Sequence, residues 1–371
     1  MRFVTGWIMS LGIGFGITAP LDALDESRAA IGADVSQLLL GDGTGVTVGI
    51  IDSGVDDTHP GLTGLDSLGQ PRFVAEANFV TTEPGNMGDD VHGHGTAVAG
   101  VILGTEIPAG SVTIQGVAPD ARFINARVLD SNNGFSTGSW VLNGVGFAVE
   151  QGADVLNLSL NFFAPNSDGN SSLDLMLDWA TGEGVHVAAC AGNIGQGTGT
   201  SAVRGPGSLY NGFSVGRTGN DFASVHPDSA NAFTEDGRMK PDVVAPGTNI
   251  RTFNDDWETG ADFTFSSGCS FATPHTAGLL AQQIDFGRTQ GLATHPLVTK
   301  ATMMNTAARV LDKGLQPWEV ASSAQVGGVT RMDGPLDTHS GAGQINGVAL
   351  HNQYAAGEQA PGAVARTGWD L

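Results

Sequence analysis

The sequence predicts an α/β fold: a doubly wound, mostly parallel sheet flanked by helices. Three observations carry this. Short β-branched apolar runs alternate with segments of helical period. The runs are apolar throughout, as strands covered on both faces must be. Polar residues suited to chemistry, Asp52 and Asn193, stand where two of the runs end, and in open parallel sheets sites gather at the carboxyl ends of strands.

In chain order, "SRAAIGADVSQLLL" reads as a short helical piece. "TGVTVGIID" (44–52) is a strand opened by glycine and ended by Asp52. "HGTAVAGVILG" begins a helix at His94. "RFINARVL" (122–129) is the next strand. Residues 137–152 place Trp140, Val141, Val145, Ala148 and Val149 at helical spacing. "ADVLNLSL" (153–160) returns to strand, and 172–184 is a helix closed by Gly182 or Gly184. "VHVAACAGN" (185–193) is a strand again, and Ser270 opens a long apolar helix.

The whole chain has 371 residues, 40% of them hydrophobic, which suffices for one large domain with a substantial core. Its 55 glycines follow no G-X-Y period, which excludes a collagen-like chain. A net charge of −22 argues against nucleic acid and anionic lipid as partners. The two cysteines, Cys190 and Cys269, form no zinc-ligand spacing. They are read as free, buried small hydrophobes, with a single bridge between them as the alternative. Residues 1–23, one Arg followed by a mostly apolar run, read as a secretory signal peptide, so the protein is expected to be secreted or periplasmic. Residues 24–351 are expected to form one domain, and 352–371 a tail or the truncated start of a further domain. No other run is long and apolar enough to span a bilayer.

Three clusters carry chemistry: "IIDSGVDDTHP" (50–60), "DDVHGHGTAVAG" (89–100) and "SSGCSFATPHTAG" (266–278). Taken singly each is weak, since a strand-end Asp is usually a turn former and a Ser before a helix usually a cap. Together they supply a carboxylate, an imidazole and a hydroxyl. A serine at a helix N-terminus lies where free N–H groups can hold an oxyanion, a histidine can take its proton, and a carboxylate can fix the histidine tautomer.

On these motifs the chain resembles the subtilisin family of serine proteases, over roughly residues 28 to 350. "DSGVD" resembles the aspartate motif, "HGTAVAG" the histidine motif, "GCSFATPHTAG" the serine motif and "AGN" (191–193) the oxyanion segment. "RVLDSNNG" and "VLNLSL" resemble the strands that line the family's substrate cleft, and "PDVVAPG" and "GAGQIN" resemble further landmarks. The resemblance implies a serine endopeptidase with Ser270 as nucleophile, His94 as base, Asp52 orienting it, and Asn193 with the Ser270 N–H as oxyanion donors. The base is the histidine followed by Gly-Thr, so His92 is a neighbour; a His-x-His metal pair lacks a third ligand. His275 is read as packing.

The resemblance also implies a polypeptide substrate added as a strand between Ser159, Leu160 and Asn161 on one side and Gly134, Phe135 and Ser136 on the other. Ala191 and Gly192 are expected to wall the primary pocket. Arg204 falls near its floor and either binds an acidic side chain or points to solvent. The aligned calcium-binding Asp is replaced by Gly61, so no metal site and no cofactor are carried over; clustered carboxylates leave room for weak calcium binding at an unassigned place. A monomer is expected. A catalytically silent relative serving as a binding domain, or a peptide-transferring maturation enzyme, are the competing functions.

Overall fold

The computed structural model describes residues 24–85, 87–109, 112–162, 168–195, 203–309, 311–312, 325–326, 329–330 and 336–359. The signal-peptide reading and the last part of the tail, from 360 on, lie outside the described residues.

The central sheet is built from β1 (Thr47–Asp52), β2 (Phe73–Asn78), β3 (Arg122–Arg127), β4 (Val155–Leu158), β5 (His186–Cys190), β6 (Phe213–Thr218), β7 (Ser224–Val225) and β8 (Val243–Pro246), with Leu311–Asp312 at one edge beside β7. The spatial order from that edge is β7-β6-β5-β4-β1-β3-β2, and β8 also pairs with β6. All pairings are parallel except β6 with β7. Eight helices accompany the described strands: α1 (Leu24–Ala30), α2 (Ala33–Leu40), α3 (His94–Leu103), α4 (Gly138–Glu150), α5 (Ser172–Gly182), α6 (Cys269–Gln290), α7 (Pro296–Asn305) and α8 (Gly347–Tyr354).

The continuous apolar runs are explained by two cores, one on each face of the sheet. Val48, Ile50, Phe123 and Ala188 pack with α2, α3, α6 and α8 residues such as Leu40, Val98, Leu279 and Leu350. The alternate residues Ile51, Ile124, Leu156 and Ala189 pack on the opposite face with Val141 and Val145 of α4 and Leu177 of α5. Period-2 alternation thus buries both sides of every central strand, and a run without polar residues is the consequence.

Local signals hold at most element ends. Thr137 caps α4 by accepting from Ser139 N. Ser171 and Asp174 form a reciprocal capping box at α5. Gly184 just past α5 has φ 90°, the left-handed stop expected there. Three expectations change. The stretch 27–40 is two helices, because Gly32 adopts φ 64° and breaks the run. The strands expected over 122–129 and 185–193 end at Arg127 and Cys190. The boundary expected at 351 falls inside α8: Tyr354 is fully buried and its hydroxyl donates to Ala293 O, so the packed unit reaches past that point.

Candidate active site

The carboxyl ends of β1, β4 and β5 open on the same side as the N-termini of α3 and α6. Asp52 is the last residue of β1, 1% exposed. His94 is the first residue of α3, set after Gly93 in the left-handed region. His94 Nδ1 and Asp52 Oδ1 are 2.6 Å apart, and Ser53 N also donates to that oxygen at 2.8 Å.

The "HGT" motif has a packing reason. A Cβ on Gly95 would stand 1.9 Å from the Gly54 carbonyl oxygen, so α3 can approach the loop after Asp52 only with glycine there. Thr96 Oγ1 accepts from Asp56 N and donates to Asp90. Asp90, which sequence reading left beside His92 without a role, is the hub. Its carboxylate accepts from Ser53 Oγ, His92 N, Gly93 N, Thr96 N and Thr96 Oγ1. An acid at this end also suits the helix dipole. The signal that could have found it is an Asp within six residues before a Thr at the start of a helix. His92 binds Asp90 through its backbone and is exposed.

Burial pushes the His94 imidazole pKa down, but the Asp52 carboxylate, its hydrogen bond and the Asp90 charge outweigh it, so the pKa is raised above 6.5. His275 behaves oppositely. Fully buried, pushed down to about 4, it donates to Phe271 O and accepts from Ser27 Oγ, which makes it a packing residue.

Ser270 is the second residue of α6, after a glycine with no side-chain cap, so its N–H lies among the unpaired donors of a helix start. The Asn193 Oδ1 accepts from Cys269 N at 2.8 Å, which leaves its amide N–H groups for other partners, and Asn193 lines the same cavity as Ser270. Ser270 Oγ donates to Ser159 O at 2.8 Å, and no hydrogen bond joins it to His94. Both side chains line one cavity, and rotation about the Ser270 Cα–Cβ bond is the motion that would turn the hydroxyl from Ser159 to the imidazole. Loose pairing without substrate is ordinary for such groups.

Ser159 grips the same residue a second way. Pro274 has no N–H to give to Ser270 O, its partner one helical turn back. Ser159 Oγ donates to that oxygen at 2.8 Å and accepts from Asn157 Nδ2 at 2.9 Å.

The cavity, about 440 Å³, is lined by His94, Leu129, Asn133, Gly134, Phe135, Ser159, Leu160, Asn161, Phe162, Asn193 and Ser270. Of the expected substrate-binding residues, Gly134, Ser159, Leu160 and Asn161 line it. Ala191, Gly192 and Arg204 do not: Ala191 is fully buried, and Arg204 pairs its backbone N–H with Ala191 O behind that wall. Leu129 and Asn133 come from the "RVLDSNNG" segment, and only Phe162 was not foreseen. Phe162 arrives because its N–H bonds Gly205 O, a pairing across 43 positions that no local pattern announces. A second, apolar pocket of about 140 Å³ adjoins it at Phe135, Val141, Leu142, Phe162 and Leu173.

The cysteines are not free. Cys190, ending β5, and Cys269, opening α6, are disulfide-bonded across 79 residues. The free reading rested on the common behaviour of cysteine as a buried small hydrophobe, and it is the fold that brings two residues so far apart in the chain together. No group of three or more metal-ligating side chains occurs among the described residues.

Several known proteins are similar to this chain. Subtilisin E of Bacillus subtilis (strain 168) is 34% identical over 64% of this chain, and this chain spans 55% of its length. Thermitase of Thermoactinomyces vulgaris is 33% identical over 74% of this chain and 85% of its own. The crystal structure of a cold adapted subtilisin-like serine proteinase superposes with a TM-score of 0.57 and 27% identity, over 74% of this chain and 86% of that one. The subtilase family model matches residues 43–343, more than three quarters of the sequence, and the chain belongs to that family.

Proposed function

We propose that the protein is a secreted serine endopeptidase that hydrolyses peptide bonds through an acyl-enzyme. The observation that carries this is that His94 of α3, Asn193 of the loop after β5 and Ser270 of α6 line one cavity, with His94 bonded to the buried carboxylate of Asp52 at the end of β1. Family membership supports it, as do relatives named as subtilisins and thermitase. The Arg-led apolar run at the N-terminus supports secretion.

In this reading Ser270 Oγ turns to His94 Nε2, gives up its proton and attacks the peptide carbonyl. Asp52 holds the imidazole by its Nδ1–H and stabilises the imidazolium. The carbonyl oxygen, now anionic, accepts from Asn193 Nδ2 and Ser270 N. His94 then protonates the leaving amine, and water releases the acyl group by the reverse proton path. The energy comes mainly from donors already aimed at the developing charge. An extended peptide is held between the Gly134 and Ser159–Asn161 segments, with the apolar pocket at Leu142 and Leu173 taking an apolar side chain several residues before the cleaved bond.

The test is a fluorescent fluorophosphonate together with a quenched peptide substrate. The chain should be labelled at Ser270 and should cleave the peptide; Ser270→Ala should lose both while keeping its circular dichroism. Peptidase activity unchanged in Ser270→Ala would refute the assignment. Labelling without cleavage of any peptide would refute the endopeptidase reading.

A further inference from the structure

The Cys190–Cys269 disulfide ties together the two segments that carry the oxyanion donors. Asn193 stands three residues after Cys190, and Ser270 directly follows Cys269. The Cα atoms are 5.2 Å apart, ordinary for a bridged pair, and both cysteines are fully buried. Besides this bond, the segments meet through Cys269 N donating to Asn193 Oδ1 and Gly192 N donating to Cys269 Sγ. Asn193 directly follows Gly192, at φ 123°, and Ser270 stands two residues after Gly268, at φ 152°. Glycine gives each segment freedom, and the covalent bond removes it.

We propose that this disulfide is a positioning element of the catalytic site, holding the Asn193 amide and the Ser270 N–H at the separation a tetrahedral oxyanion needs, so that turnover depends on the cysteines being oxidised. The proposal rests on the serine-peptidase reading above. Neither sulfur touches the reacting atoms. The link acts by holding the donors, whose job is done only in the transition state, so its loss should lower kcat and leave KM nearly as it was. Reduction by a dithiol breaks the S–S bond, forms two thiols, and oxidises the dithiol to its cyclic disulfide, with two electrons and two protons transferred.

The size of the effect has an upper bound. Removing one oxyanion donor outright costs about 10²–10³ in turnover, as measured for the corresponding donor in a subtilisin. Loosening both while keeping them should cost less, on the order of tenfold.

The experiment uses the full chain, with thiols counted by iodoacetamide alkylation and mass spectrometry after denaturation. Unreduced protein should show none. After dithiothreitol two should appear, kcat on a quenched peptide should fall about tenfold, and KM should stay within about twofold. The final extent of fluorophosphonate labelling should stay full, and reoxidation should restore kcat. Cys190→Ala/Cys269→Ala should match the reduced protein and ignore dithiothreitol. Two alkylated cysteines in unreduced protein would overturn the proposal. So would a double variant with wild-type kcat, or a loss that appears only as reduced labelling extent, since that marks a staple of the fold rather than of the site. Absence of labelling and cleavage in the oxidised wild type would instead refute the peptidase reading itself.

Discussion

Pro274 deprives the Ser270 carbonyl of its helical partner, and Ser159 Oγ supplies the missing donor. Ser159→Ala therefore leaves two buried groups unpaired, the Ser270 carbonyl and the Asn157 amide. Each costs about 1–3 kcal/mol. Because they share one partner the costs are not additive, and a loss of roughly 2–4 kcal/mol is expected. Pro274→Ala changes the balance by restoring an N–H aimed at Ser270 O. In that background Ser159→Ala leaves only the Asn157 amide unpaired, so its cost should drop by about 1–2 kcal/mol. The assay is equilibrium urea unfolding of the four proteins of the cycle, all carrying Ser270→Ala to prevent self-digestion, followed by kcat measurements with the serine restored. A cycle that closes within about 0.5 kcal/mol would refute the reasoning, because the two side chains would then not compete for one carbonyl.

Other outcomes follow from the same geometry. With the His94 pKa raised, the imidazolium persists to higher pH than in free histidine; the base must be neutral, so kcat/KM should be lost as pH falls through a midpoint above 6.5, and a midpoint at or below 6.5 would contradict the pairing. Peptides carrying Leu or Phe where the apolar pocket lies should be cleaved about tenfold faster than those with Ala, from about 1.5 kcal/mol of side-chain burial, in a positional scan; equal rates would show that the pocket is not used. Arg204→Ser should leave the ratio of cleavage after Glu to cleavage after Phe unchanged, since Arg204 does not line the cavity beside Ser270; a fall in that ratio would return Arg204 to the pocket. Asp90→Asn should lower activity through misplacement of His94 and Gly95, measured as a fall in kcat with the fold retained, because the carboxylate accepts five hydrogen bonds there.

Much of the fold was legible because its signals are local. Strands buried on both faces carry apolar residues at every position, helix starts carry Thr137 and Ser171, and Gly184 marks a stop. The candidate groups Asp52, His94, Asn193 and Ser270 stood out for a different reason: each sits in a short glycine-containing motif, and in those of Asp52 and His94 the glycines answer to close backbone approach, Gly54 against Asp89 O and Gly95 against Gly54 O. The far wall of the cleft was not legible. Counting residues left Arg204 with two places, the pocket floor or solvent, because counting carries no information on how a loop turns.

The sequence by itself determined the α/β class and the order of the strands and helices along the chain, and it nominated the side chains proposed for acyl transfer, since propensity, periodicity and motif all act over a few residues. Only the tertiary structure decided that Cys190 and Cys269 are joined, that Ser159 replaces the donor Pro274 lacks, that Asp90 organises the start of α3, and which residues line the cavity. Apart from Asp90, whose partners at α3 lie within six residues, each of these is a contact between segments far apart in the chain, and the energy that forms it comes from packing the whole sheet rather than from any stretch that could be read alone.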